Sequence, residues 1–146
     1  MFVPTTTAID RARHTIRFER TFDAQPDAVF DAWTQPERVA AWWDPDGVAL
    51  VACTIDLRVG GAFAFVNAGH GPPFTGTYRE INRPTTLVFE AMGAIGTVCL
   101  AGVDGRTTMT VSIVCASSEH FEMFLKVGVE SGTARTLDNL GHYLAP

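Results

Sequence analysis

The sequence predicts an α+β fold in one domain, an antiparallel sheet whose apolar face is covered by a C-terminal helix. Three observations predict it. Short runs of alternating apolar and polar residues, separated by glycine and proline, fill the middle of the 146-residue chain. Two proline-led helix starts lie back to back between Pro26 and Trp43. From Glu119 to Leu144, apolar residues recur close to the helical period.

Residues 1–13 carry no clear period and are expected to form a loose arm. From His14 to Phe22, Ile16, Phe18, Arg20 and Phe22 alternate with Thr15, Arg17, Glu19 and Thr21, which suits a half-buried first strand. Pro26 then occupies a first helical position with Asp27 beside it, where a carboxylate favours the positive end of the helix dipole. Pro36 and Glu37 repeat the device, so two short helices meet at Thr34-Gln35, and Asp44-Pro45-Asp46-Gly47 ends the second.

Six further strands follow: Val48 to Leu57, Ala62 to Val66, Gly76 to Ile81, Thr86 to Met92, Thr97 to Ala101 and Thr107 to Cys115. Gly60-Gly61, Gly69 to Pro73 (with His70 inside it), Pro84, Gly93 to Gly96 and Gly102 to Gly105 supply the breaks. In the last strand Met109, Val111 and Ile113 point one way and Thr108, Thr110 and Ser112 the other, so one face is wetted and one needs a cover. The cover is a single long helix carrying Met123, Val127, Ala134, Leu137, Leu140 and Leu144. Gly128 and Gly132 each cost about 1 kcal/mol against Ala inside a helix and are expected to mark a close backbone approach or a kink.

Composition narrows the function classes. A chain of this length buries enough apolar surface to need no disulfide or metal staple. No run is long and apolar enough for a membrane helix, and no leader pattern opens the chain, so cytoplasmic residence is the default expectation. The formal charge is −5, from 16 acidic against 11 scattered basic side chains, which argues against a nucleic-acid surface. Cys53, Cys99 and Cys115 are odd in number and lie in strand-like runs, where they are expected to be buried as small hydrophobes. His14, His70, His120 and His142 lack the short spacings of metal sites, and no phosphate loop, dinucleotide fingerprint or nucleophile elbow is present. No metal, cofactor or catalytic residue is therefore assigned, and Asp44 and Asp46 read as turn formers.

Several motifs carry a resemblance. They are Val29 through Ala32-Trp33-Thr34 to Pro36-Glu37, the Trp42-Trp43 pair, Asp56-Leu57-Arg58-Val59-Gly60-Gly61-Ala62-Phe63, Gly76 to Ile81, Leu87-Val88-Phe89, and Leu137-Asp138-Asn139-Leu140 with Leu144. From about His14 to Leu144 the chain resembles the activator-of-heat-shock-protein-ATPase homologue family, within the START-like or helix-grip superfamily. The resemblance implies a curved antiparallel sheet wrapped around the long C-terminal helix. None of the matching motifs is catalytic. Family members often carry Gly-Trp before the Leu-Asp pair, where this chain has Gly132-Thr133. The missing indole is expected to leave space beside the helix unless Phe121, Phe124 or Tyr143 fills it.

A sheet curled around a helix leaves a wedge-shaped gap suited to a ligand. Its expected lining is Trp43, Phe63, Phe65, Phe74, Tyr78, Phe89 and Met109 from the sheet side, with Met123, Val127, Glu130 and Ser131 from the helix. Each aromatic has an ordinary core role as the competing reading. The first functional expectation is a container for a small apolar molecule. The second, implied by the resemblance to helix-grip relatives that cyclise, dehydrate or hydrolyse apolar substrates, is an enzyme using the same cavity, with Glu130 and Tyr78 as the one pair of polar groups nominated for it. The third, implied by the resemblance, is a module that contacts a chaperone ATPase. The resemblance also implies pairing as a homodimer, although no exposed apolar stripe marks an interface.

Overall fold

The computed structural model describes residues 4–69 and 71–145. Met1 to Val3, within the expected arm, lie outside the described residues, as do His70 and Pro146. The elements are β1 (Thr6–Asp10), β2 (Thr15–Phe22), α1 (Pro26–Thr34), α2 (Pro36–Trp42), β3 (Ala52–Ile55), β4 (Ala62–Val66), β5 (Phe74–Asn82), β6 (Thr86–Ala91), β7 (Ala94–Val103), β8 (Arg106–Val114), α3 (Ser118–Lys126) and α4 (Val129–Leu144). The eight strands form one antiparallel sheet in the order β1-β2-β8-β7-β6-β5-β4-β3, the helix-grip arrangement of an α+β fold.

The expected loose arm is corrected over residues 6–10. These residues pair with β2 in the register Thr6 opposite Glu19 to Asp10 opposite Thr15. All five side chains of β1 are exposed, so the strand is held by its backbone ladder and displays no apolar alternation to read. In β2 the alternation predicts the inward face: Ile16, Phe18, Arg20 and Phe22 are buried. The expected strand from Val48 to Leu57 shortens to the four residues of β3. The break expected from Gly93 to Gly96 narrows to a turn at Met92-Gly93, with both residues at positive φ. Ala94 and Gly96 already belong to β7.

The single long C-terminal helix is also corrected. Gly128 adopts φ 81°, ψ 26°, a left-handed conformation that stops α3 and starts α4. The break resets the helical phase, so α3 turns Phe121 and Phe124 inward while α4 turns in Thr136, Leu137 and Leu140. Met123 and Val127 fall on the outer side of that break and are 50 % and 68 % exposed. Gly132 has open space where a Cβ would stand, so close backbone approach does not explain it.

The inward residues change size along the sheet. On β7, Ala94 and Gly96 at one end give way to Val98 and Leu100 at the other. Gly96 faces Ile113 on β8, Val98 faces Val111 and Leu100 faces Met109. At the large-residue end α1 packs over β7 and β8, and α4 packs on β1 and β2. There Arg20 of β2 and Thr5 both bond Asp138 of α4, the Thr5 backbone N–H and hydroxyl each at 2.8 Å. A Cβ on Gly141 would run into the Arg20 guanidinium, so glycine leaves room for that side chain to cross α4 as it does.

Candidate functional site

The small-residue end leaves a cavity of about 300 Å³ between sheet and helices. The corner between α1 and α2 supplies its tryptophans. Gln35 is extended (φ −95°, ψ 124°), ending α1 and letting Pro36 start α2 in a new direction. Trp42 is fully buried and donates its indole N–H to Ala32 O at 3.0 Å. Trp33 packs edge-on with Trp42 at 5.0 Å and with Trp43 at 6.4 Å, measured between ring centroids. Trp33 and Trp43 both reach the cavity wall.

From the sheet come Phe74, Phe89, Ala91, Met92, Ala94, Gly96, Val111 and Ile113. Gly96 stands directly opposite Phe89. A Cβ on Gly96 would come within 2.6 Å of the Phe89 ring, so glycine lets that ring lie down on the sheet instead of filling the gap. From the helices come Phe124, Val129, Gly132, Thr133, Thr136 and Leu137. Thr133 thus stands on the wall where family members often place an indole. Phe124 lines the cavity without closing it, Phe121 is buried away from it, and Tyr143 is exposed.

The rim at Pro45 and Asn67 is pinned by hydrogen bonds. Asn67 Nδ2 donates to Asp44 Oδ1 at 2.7 Å, Asn139 Nδ2 to Asp44 O at 2.8 Å, and the Thr136 hydroxyl to Trp43 O at 3.0 Å. The carboxylate of Asp44 also accepts from the backbone N–H groups of Asp46 and Val48. Asp44 is therefore a turn former, and Asp46 pairs outward with Arg135.

Trp33, Trp43, Phe74 and Phe89 also form one side of a second space of about 10 Å³, whose other walls are Phe63, Phe65, Tyr78 and Leu87. The expected lining therefore divides. Trp43, Phe74 and Phe89 face the larger cavity; Phe63, Phe65 and Tyr78 face only the narrow space. Met109 faces neither and is sealed in the core, because it sits at the large-residue end of β8. Met123 and Val127 point outward for the phase reason above. Glu130 is half-buried off the wall, and the exposed Ser131 donates its hydroxyl to Gly128 O at 3.2 Å. Glu130 and Tyr78 do not converge on a common space.

Several wall residues escaped the sequence reading. Val111 and Ile113 share the inward face of β8 with Met109, so the alternation pointed to them. Ala91, Ala94 and Gly96 carry a different signal: small residues at inward strand positions, which mark where the sheet lacks volume.

No ionisable side chain lies on the wall of the larger cavity among the described residues. Beside the narrow space, burial and then the neighbouring Cys53 raise the Tyr78 phenol above its ordinary value. Burial, with Glu37 second, pushes the Cys53 thiol up to about 11. Cys115 is buried and raised by burial, whereas Cys99 is exposed, against the expectation for all three cysteines. The reason is register: Cys99 falls on the outward face of β7 between buried Val98 and Leu100. Among the described residues no group of three or more His, Cys, Asp and Glu is placed to hold a metal, and no helix is long and apolar enough to cross a membrane.

The sequence profile of the family described as activator of Hsp90 ATPase homolog 1-like protein matches residues 23–145. No curated protein shows significant sequence similarity to the chain. Solved structures share the fold. One from Arthrobacter aurescens is 21% identical with a TM-score of 0.85, over 99% of this chain and 92% of that one. A protein from Rhodobacter sphaeroides is 20% identical with a TM-score of 0.84, over 96% and 97%. Another from Chromobacterium violaceum is 25% identical with a TM-score of 0.72, over 90% and 98%.

Proposed function

We propose that this chain, which belongs to the activator of Hsp90 ATPase homolog 1-like family, holds a small uncharged apolar molecule in the cavity between its sheet and its helices. The observation that carries the reading is a space of about 300 Å³ whose described wall is mostly aromatic and aliphatic, with Asn67, Thr133 and Thr136 as polar side chains and no ionisable group. Apolar surface entering that space is removed from water at about 25 cal/mol per Å². An ionised ligand would have to shed its hydration with no opposite charge in return.

The absence of a convergent acid and base on this wall favours holding over chemistry. Chemistry of the cyclase or hydrolase kind needs at least two polar groups aimed at one reacting centre. Here Tyr78 faces the narrow space and Glu130 neither.

The test has two stages. Native mass spectrometry of freshly purified protein, compared with its denatured mass, reads any co-purified molecule directly. Titration with the neutral fluorophore N-phenyl-1-naphthylamine then reads the capacity of the protein as isolated. The expected result is either a mass excess that disappears on denaturation or saturable uptake of one probe per chain. A clean apo mass together with no saturable uptake overturns the reading.

A further inference from the structure

We propose that the molecule held in the cavity carries a neutral oxygen, as a ketone, ester or alcohol does, and that the Thr133 hydroxyl hydrogen-bonds to it. The inference rests on the container reading and adds the chemical class of the ligand and a specificity-determining residue.

Thr133 stands in the middle of the stripe that α4 turns to the cavity. Val129 one turn before it, Gly132 beside it, and Thr136 and Leu137 one turn after it all share the wall. Its hydroxyl makes no hydrogen bond among the described residues and is not sealed in packing. A threonine inside a helix commonly turns its hydroxyl to the carbonyl one turn back. The other helical threonines are engaged: Thr34 donates to Phe30 O at 2.8 Å and Thr136 to Trp43 O at 3.0 Å.

The other polar groups nearby are committed or shut off. Asn67 turns its Nδ2 to the Asp44 carboxylate, which only accepts, so its Oδ1 faces away as an acceptor with no proton to give a carbonyl. Trp33 Nε1 lacks an acceptor among the described residues, but that atom is enclosed in packing and meets neither space. Thr133 is therefore the hydroxyl on the described wall left to engage an occupant's oxygen. It stands where relatives often carry an indole, so one residue both opens the space and places a polar group beside it. A neutral oxygen suits the site, because the wall has no ionisable side chain to compensate an anion.

Two bicyclic probes of similar shape separate this inference from the container reading: tetralin, a hydrocarbon, and 1-tetralone, which adds a carbonyl oxygen. Displacement of bound N-phenyl-1-naphthylamine by each gives the ratio of ketone to hydrocarbon affinity in the wild-type chain and three variants. Thr133→Val removes the hydroxyl and keeps the shape, Thr133→Ser keeps the hydroxyl, and Asn67→Ala removes the competing polar side chain. The ratio is expected to fall about fivefold in Thr133→Val, the size expected for one hydrogen bond, and to stay within about twofold in Thr133→Ser and Asn67→Ala. Tetralin binding itself persists in Thr133→Val.

If wild type binds both probes and Thr133→Val keeps the wild-type ratio, the Thr133 assignment is overturned and the container stands. An equal fall in Thr133→Ser, a fall in Asn67→Ala alone, or dye that the ketone fails to displace overturns the assignment in the same way. A clean apo mass with no saturable dye uptake overturns the container, and the assignment with it. Should Thr133→Val fail to fold, the infrared carbonyl stretch of 1-tetralone bound to wild type decides. The band is expected to lie below its position in hexane, and an unshifted band sinks the proposal.

Discussion

The two ends of the sheet are built from the same strands and covered by the same helix, yet one is closed and the other open. At the closed end Leu100 and Met109 face each other, α1 lies over β7 and β8, and Arg20, Thr5 and Asp138 tie β2 and the segment before β1 to α4 beside Gly141. At the open end the corresponding inward positions are Ala91, Ala94 and Gly96, and α4 presents Gly132 and Thr133. The difference teaches that the cavity follows a gradient in side-chain volume along β6 and β7, met by small residues on α4. Dense packing is the default for interiors, so a gap survives only where residues from several elements are small together and rigid rings are held flat. The charged clamp at one end holds α4 in place while the other end lacks filling.

Breaking the closed end gives the largest expected effect. The Arg20 and Asp138 side chains are 5 % and 28 % exposed, so Asp138→Ala removes a carboxylate from a largely dry site. Its unfolding free energy is expected to fall by about 3 kcal/mol, read from the urea midpoint. A loss under about 1 kcal/mol would mean that α4 is held by its apolar face alone.

Making the open end resemble the closed one comes next. Thr133→Trp places on the wall the indole that relatives often carry there. Uptake of N-phenyl-1-naphthylamine is expected to weaken at least about tenfold, while stability holds or rises by about 1 kcal/mol from filling space. Unchanged uptake would place the bound probe elsewhere.

A smaller effect concerns Cys53, beside the narrow space. Its thiol is raised from 9.0 to about 11 in the folded chain by burial and then by Glu37. The folded state therefore holds that proton more tightly than the unfolded chain does. The stabilisation is complete below pH 9 and is lost as pH rises from there through about 11. Urea midpoints at pH 8 and pH 11 are expected to differ by about 1 kcal/mol less in Cys53→Ala than in wild type, a figure discounted for partial solvent screening. Equal differences would remove Cys53 from the alkaline loss.

The smallest effect is expected at Glu130. Since it lies off the wall, Glu130→Gln is expected to leave probe affinity within about twofold of wild type by fluorescence titration. A larger change would bring the carboxylate back into the site.

Only part of the wall is legible in the sequence: of the eleven expected lining residues, Trp43, Phe74 and Phe89 stand on the larger cavity. All three are aromatic residues beside turn or strand signals, and the two proline-led helices follow from signals local to each turn. The division between the two spaces could not be read this way, because Phe63, Phe65 and Tyr78 have the same inward phase. Only the position of the Trp33, Trp43, Phe74 and Phe89 rings separates them. The helical side was least legible. Met123 and Val127 fit one continuous stripe with Leu137, and the stripe breaks because Gly128 turns left-handed and rotates α3 relative to α4.

What the sequence determined by itself is local: strand alternation, the punctuation between elements and the two proline-led helix starts. Each is set by neighbours within a few residues and by the backbone freedom those residues allow. Tertiary structure alone decided which small residues meet, that Arg20 finds Asp138 across α4, and that the Trp33 N–H is enclosed without an acceptor. These depend on atoms brought together from positions tens of residues apart, where register and helix phase set the distances.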